Sequence, residues 1–290
     1  MSNVYEIITN NIVEKIETMG ELPWHKPWNS VEVLPLNTVS KKTYRGVNVL
    51  ILYLESMNKG YSSPYWLTYK QAKDLGGHVN PGEKGTPVVF WKFIEVDAAT
   101  EEDPNKKKKV PLLRYYTVFN VDQCELPEKV LAKIKTKKPE VNKIEEIEKI
   151  VANYNINIRH GGTRAAYNKN DDFIMMPDAA DFDNIDSYYH ALFHEMIHST
   201  GHKDRLNRES IADASFFGDE NYSKEELVAE IGACFLSSMT NIKSEIENSA
   251  AYVKGWLKKI KEDSKLIIHA AAAAQKAVDY ILKETNNDSE

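Results

Sequence analysis

Five consecutive residues, His194-Glu195-Met196-Ile197-His198, carry the most direct chemistry in the chain. On a helix, two histidines four apart stack on one face, so both imidazoles turn toward one point. The glutamate beside the first histidine then sits where its carboxylate reaches a water at that point instead of the point itself. H-E-x-x-H is the spacing of zinc hydrolases in which two histidines and a third protein ligand hold the ion and one position stays open. The expected reaction is amide hydrolysis with one zinc per chain. The ion polarises the carbonyl and acidifies water, while Glu195 takes the proton and later hands it to the leaving amine.

Two places in the sequence offer the third ligand. Glu226 and Glu230 lie four apart in YSKEELVAEIGACFL, with Glu226 the expected ligand and Glu230 the carboxylate behind it. Ser223-Lys-Glu-Glu226 is also a capping box, and if the cap takes Glu226 the ligand becomes Glu230. Asp204 fits an H-E-x-x-H-x-x-G-x-x-D spacing in HEMIHSTGHKD, although no Met-turn follows, Met239 falling within a helical stretch. His202, just past Gly201, is a loop histidine that can donate to an oxyanion. His190 is expected to be packed or solvated, because helical drift of ~40° per four residues carries it off the line of the other two.

These side chains need a scaffold. Tyr188, Tyr189, Leu192, Phe193, Met196 and Ile197 form one apolar face of a helix from about Asp186 to Thr200, for which Gly201 is the expected left-handed stop. Upstream, a helix from about residue 143 and short strands near INIRH and FIMMP precede it, and the pattern predicts four helices in all from there on. The N-terminal part predicts an amphipathic helix through Tyr5, Ile8, Ile12 and Ile16, then a Trp/Pro loop PWHKPW with Trp24 and Trp28 packed. A helix in VNVLILYLESMNKG ended by Gly60 follows, then a helix near TYKQAKDLGG and strands in PVVFWKFIEV and LLRYYTVFNV flanking a solvated loop, DAATEEDPNKKKK. A Lys/Pro/Glu-rich stretch without aromatics marks residues 131–142 as a linker between a domain at 1–130 and a mostly helical domain with a small sheet at 143–290. The fold class is α+β.

The net charge of −6 argues against nucleic acid as a partner of the whole surface, but the charge is uneven. Residues 1–125 hold 15 basic and 15 acidic side chains, whereas residues 37–92 hold 8 basic against 3 acidic. Lys41, Lys42, Arg45, Lys70, Lys73 and Lys84 are interleaved there with Tyr44, Trp66 and Tyr69. Cationic side chains follow phosphates and aromatic rings stack on unpaired bases, the combination that single-strand binders use. Most aromatics in such a segment are core, so one or two platforms are expected among them.

With these residues in view, YYHALFHEMIHSTGHKDRLNRE followed by YSKEELVAEIGACFL resembles the metallopeptidase domain of ArdC-type antirestriction proteins. PLNTVSKKTYRGVNVLILYL, SPYWLTYKQAKDLGGHVNPGEKGTPVVFW and YYTVFNVDQCEL are similar to the N-terminal domain of the same family. The resemblance covers nearly the whole chain. It implies a mobile-element protein that binds single-stranded DNA, carries a zincin-type metal site and acts on an unidentified protein or peptide. The competing reading is a non-enzymatic single-strand DNA-binding protein whose metal only tethers helices. Glu195 favours the enzyme, since a purely structural site has no use for it.

The opening MSNVYEIITNNIVEKIE carries carboxylates in its first turns, and LIIHAAAAA is far shorter than the ~20 apolar residues of a membrane span, so a cytoplasmic protein with no membrane partner is expected. Cys124 and Cys234 have no C-x-x-C partner and read as small buried hydrophobes.

Overall fold

The computed structural model describes residues 3–22, 34–97, 107–134, 143–209, 220–242 and 250–283. Trp24 and Trp28, the tip of the lysine-bearing loop and most of the expected linker lie outside the described residues. The fold is α+β, as the periodicities predict.

In the first half, α1 (Val4–Met19) starts with a capping box in which Asn3 and Glu6 satisfy each other's backbone amides. The helix α2 (Val47–Lys59) ends at Gly60, whose φ of 69° is the left-handed cap expected of a residue without Cβ. Strands β1 (Leu36–Asn37), β2 (Tyr65–Leu67), β4 (Thr86–Asp97) and β5 (Lys107–Asn120) form a sheet of order β1-β2-β5-β4, and α3 (Tyr69–Asp74) follows β2. Two short strands, β3 (His78–Val79) and β6 (Cys124–Glu125), pair beside it, and α4 (Glu128–Ile134) follows. The two long segments are an antiparallel hairpin running from Thr86 opposite Val118 to Asp97 opposite Lys107. Its outer strand β4 is closed at one point by Asn48, whose side chain both donates to and accepts from the Val89 backbone as a neighbouring strand would.

In the second half, α5 (Lys143–Tyr154) leads into β7 (Asn157–His160), β8 (Ala166–Asn168) and β9 (Phe173–Met176), a three-stranded sheet of order β7-β9-β8. β7 runs parallel to β9, and β8 is its antiparallel edge. Four helices follow among the described residues: α6 (Ile185–Thr200), α7 (Glu220–Met239), α8 (Ala250–Glu262) and α9 (Leu266–Leu282).

The largest core runs through both halves. Ile8, Ile12 and Ile16 of α1 and Leu50, Ile51 and Leu54 of α2 belong to the same buried cluster as Phe193 of α6, Phe235 of α7 and the alanines of α9. The alanine run keeps α9 thin, so α7 and α6 pack close to it. No helix among the described residues is long and apolar enough to cross a membrane.

Candidate metal centre

The helix α6 begins where Asn184 accepts the Ser187 amide and Asp186 sits at the positive N-terminal end. Its apolar face is buried, which turns His194 and His198 to the other side. The helix stops at Thr200, but not in the expected way. Gly201 is right-handed (φ −75°, ψ −7°), and the chain leaves through tight turns in which the Gly201 and His202 amides donate to the His198 and Ser199 carbonyls. The glycine that does matter for the site is Gly232 of α7. A Cβ there would lie 2.7 Å from Cδ1 of Ile197, so its absence lets α7 pack against α6 beside His198.

That close approach brings Glu226 to the two histidines. Nε2 of His194 and Nε2 of His198 are 3.0 Å apart, and the Glu226 carboxylate lies 3.6 Å from the first and 3.3 Å from the second. Among the described residues this trio is the group able to hold a metal ion. The donor set fits: a tetrahedral ion with bonds of ~2.0–2.1 Å to nitrogen and oxygen needs its ligand atoms roughly 3.3–3.4 Å apart. Two imidazoles and a carboxylate suit zinc, and manganese tolerates them as well.

Behind His198 stands a carboxylate that the sequence reading did not single out. The buried Glu225 accepts from Nδ1 of His198 at 3.3 Å, which leaves Nε2 directed at Glu226. Glu225 is itself gripped by Arg208, whose Nε donates to Oε2 at 3.0 Å while its other nitrogens donate to Oε1, the Thr200 hydroxyl and the Ile197 carbonyl. Burial alone would lower the His198 pKa, but Glu225 and Glu226 outweigh it and push it up to about 10. Burial would likewise raise Glu225, yet His198 and Arg208 hold it down to about 2, and Glu226 is held well below the usual carboxylate range against its own burial by the two histidines. Removing Arg208 is therefore expected to weaken metal binding by about 10–100-fold, the usual effect of losing support behind a ligand. Competition with a chelating dye for Arg208→Ala against wild type measures it, and unchanged affinity would show that Glu225 needs no brace.

Glu195 is buried beside the trio, and its Oε2 accepts the backbone amide of Tyr167 on the edge strand β8 at 2.7 Å. The other positions named from the sequence lie elsewhere. Glu230 is one turn beyond Glu226, where Oε1 accepts from the Tyr252 hydroxyl at 2.7 Å, so it does not stand behind a ligand histidine in the way Glu225 does. Asp204 is mostly exposed and pairs with His202, whose Nδ1 accepts the Asp204 amide; neither belongs to the trio. Ser223 lies inside α7 and its hydroxyl accepts from Lys259, so no capping box competes for Glu226. His190 is packed, with Nδ1 3.0 Å from the Ser237 hydroxyl. The three-residue strand β8 and the arginines Arg205 and Arg208 went unread. A helix end followed by two arginines three apart, amid acidic neighbours, was the only signal available.

In the first half, two proposed base platforms are corrected. Trp66 is fully buried among Leu52, Val88 and Val118, and Tyr44 is buried in the same cluster, because the hydrophobic gain from covering a large ring exceeds what a solvent-facing position offers. Arg45 is not a free cation either, since its guanidinium pairs with the buried Asp279 of α9. Tyr69 remains, 62% exposed, with its ring set edge-on to Phe119. On β5, Tyr115, Thr117 and Phe119 alternate onto the face opposite Val118, and Tyr115 is 48% exposed. Lys41, Lys42, Lys70, Lys73 and Lys84 are exposed, with Lys41 lying over the Tyr65 ring.

Two family models match the chain in succession. Residues 2–119 match the family described as the N-terminal domain of anti-restriction factor ArdC, and residues 145–273 match a zincin-like metallopeptidase family. The chain superposes on crystal structures of the antirestriction protein ArdC from the R388 plasmid. The metal-free form gives a TM-score of 0.79 at 40% identity over the full length of both chains. The Mn(II)-bound form gives 0.78 at 39% identity over 99% of each. A DNA primase TraC of Escherichia coli is 37% identical over 96% of this chain, which spans only 27% of that protein's length. The protein y4eC of Sinorhizobium fredii is 34% identical, with 97% of this chain and 92% of that one matched.

Proposed function

Because the chain belongs to the ArdC family of antirestriction proteins, with its zincin-like domain, we propose that it holds single-stranded DNA on its first half and hydrolyses an amide bond at a zinc site in its second. The observation that carries the hydrolytic reading is Glu195: a buried carboxylate next to the ligand trio but outside it. A zinc ion bound by His194, His198 and Glu226 would polarise a peptide carbonyl and acidify a water. The chain's own contribution is positional. Glu225 fixes the His198 ring, and the Tyr167 amide fixes one oxygen of Glu195, leaving the other to take the water's proton and return it to the leaving amine. That the R388 relative has a Mn(II)-bound form supports a divalent ion as the group this chain takes up. Loss of bound metal in His198→Ala, and loss of peptide cleavage with metal retained in Glu195→Gln, are the results that test this reading.

The DNA half rests on a rearranged set of residues. Tyr69 and Tyr115 take the stacking role, and Lys41, Lys70, Lys73 and Lys84 the phosphate role, since all are exposed. Duplex DNA hides its base faces, so single strands are expected to bind more tightly. Tyr69→Ala and Tyr115→Ala should each cost about 1–3 kcal/mol at every salt concentration. Converting Lys70, Lys73 and Lys84 to Gln should flatten the salt dependence, by a slope of roughly 0.7 per lost phosphate contact. Fluorescence anisotropy of the full chain with labelled oligonucleotides across a salt series measures both. Preference for duplex, or indifference to both tyrosines, would overturn this surface.

A further inference from the structure

The turn that follows α6 carries two arginines, and the structure sends them in opposite directions. Arg208 reaches back to Glu225 and thereby to the ligand His198. Arg205 reaches the other way, to the hairpin that holds the edge strand. Its Nε donates to the Ser199 carbonyl at 2.7 Å, and its two terminal nitrogens clasp both oxygens of Asp172. The Tyr167 hydroxyl closes the group, donating to Asp172 Oδ1 at 2.8 Å and accepting from Arg205 at 3.1 Å. The guanidinium is largely buried, so these charged contacts are poorly screened by solvent.

Asp172 occupies a left-handed position (φ 52°) at the end of the turn joining β8 to β9, a conformation aspartate tolerates better than most residues. Asn168 organises the same turn by accepting the amides of Asn170 and Asp171. Arg205 therefore ties the C-terminal end of the metal helix to one end of a strand only three residues long. Among the described residues that strand pairs with β9 alone. Its outward Tyr167 amide is what Glu195 holds.

We propose that Arg205 is a positioning residue: acting through Asp172 and the Tyr167 side chain, it sets the distance of β8 from α6 and so the place of the Glu195 carboxylate. The two arginines make one brace with two arms, Arg208 for the metal ligands and Arg205 for the base. The role of Glu195 as base rests on the hydrolytic reading above; the geometric coupling of Arg205 to the Tyr167 amide does not.

Hydrogen exchange of the full-length, zinc-loaded protein separates the two, because it reads the Tyr167 amide without any substrate. In Arg205→Ala, exchange in peptides covering 165–172 should rise about ten- to a hundredfold, the range for losing charge-assisted hydrogen bonds. Exchange in α6, α7 and α9 and the zinc content should stay at wild-type values. Arg205→Lys should recover part of the protection, since an ammonium meets one of these acceptors but not all. If Arg205→Ala does not fold, Tyr167→Phe carries the test, as it keeps the ring and the backbone but removes the hydroxyl, and it should raise the same exchange by a smaller factor. Wild-type protection of 165–172 in whichever of these variants folds would overturn the proposal. Loss of zinc in Arg205→Ala as complete as in a ligand variant would overturn it too, placing Arg205 with the ligand arm.

Discussion

His198→Ala is expected to leave the protein without bound metal, while its secondary structure persists. His198 offers one of the three atoms placed to hold a metal ion and is also the one held from behind by Glu225 and Arg208. Its removal should therefore cost more than the ~10–100-fold expected of Arg208→Ala. Elemental analysis after dialysis reads the stoichiometry, expected at about one ion per wild-type chain and near none in the variant. Thermal melting gives a second readout: an ion that binds only the folded state stabilises it by about 4 kcal/mol at a thousand times its Kd, a shift that the variant should lack. Glu226→Ala should behave likewise, whereas Asp204→Ala and Glu230→Ala should keep the metal. Full metal content in a folded His198→Ala would place the ion elsewhere.

Acid should oppose metal uptake for a reason visible in the trio. Until a metal displaces it, the proton on His198 is held by Glu225 and Glu226, with the pKa pushed up to about 10. The ligand must be neutral, so binding releases that proton and affinity should climb as pH rises through the neutral range. In the absence of metal the sign for stability is opposite. A raised histidine pKa contributes stability that is complete below its ordinary 6.5 and is lost as pH climbs toward 10. The lowered Glu225 contributes stability above its ordinary 4.5, lost as pH falls toward 2. The protonated cluster thus stabilises the fold most between those limits, and a metal ion would have to outcompete it there.

The parts of this site that could be read from the sequence are those whose geometry is local. His194, Glu195 and His198 share a helix, and four-residue spacing fixes their common face whatever the tertiary context. Glu226 was legible as one of two carboxylates on a second helix, but nothing local distinguishes it from Glu230. The choice is made by how α7 lies on α6, which Gly232 permits. Glu225, adjacent to a ligand and unread, is of the same kind, since its role exists only once Arg208 folds back on it. The strand β8 is too short for a period-two pattern to emerge. Trp66 and Tyr44 show the converse failure: interleaved rings and lysines describe a binding surface and a buried sheet face equally well until packing decides. Gly60 ended its helix as a left-handed cap, whereas Gly201 ended its own in a right-handed turn, because the chain there must double back to deliver Arg205 and Arg208.

Glu195→Gln is expected to keep the metal and the fold but lower hydrolysis by about 10²–10⁴-fold, the usual contribution of a positioned general base. Gln is the informative replacement. Its carbonyl oxygen can still accept the Tyr167 amide, so β8 stays in place and only the capacity to take a proton is lost. Metal content by elemental analysis and melting temperature should match wild type, because Glu195 lies outside the ligand trio. A peptide library incubated with zinc-loaded wild type and variant, with cleavage read by mass spectrometry, supplies the comparison whatever the natural substrate is. Peptides cut by wild type and spared by Glu195→Gln are the expected result, and equal cutting by both would remove Glu195 from the mechanism. Should the wild type cut nothing in the library or in folded DNA-processing proteins, the metal would be left with the tethering role. In that case the same buried carboxylate would serve to anchor the edge strand, and Glu195→Ala, which removes that anchor, should lower the melting temperature while Glu195→Gln does not.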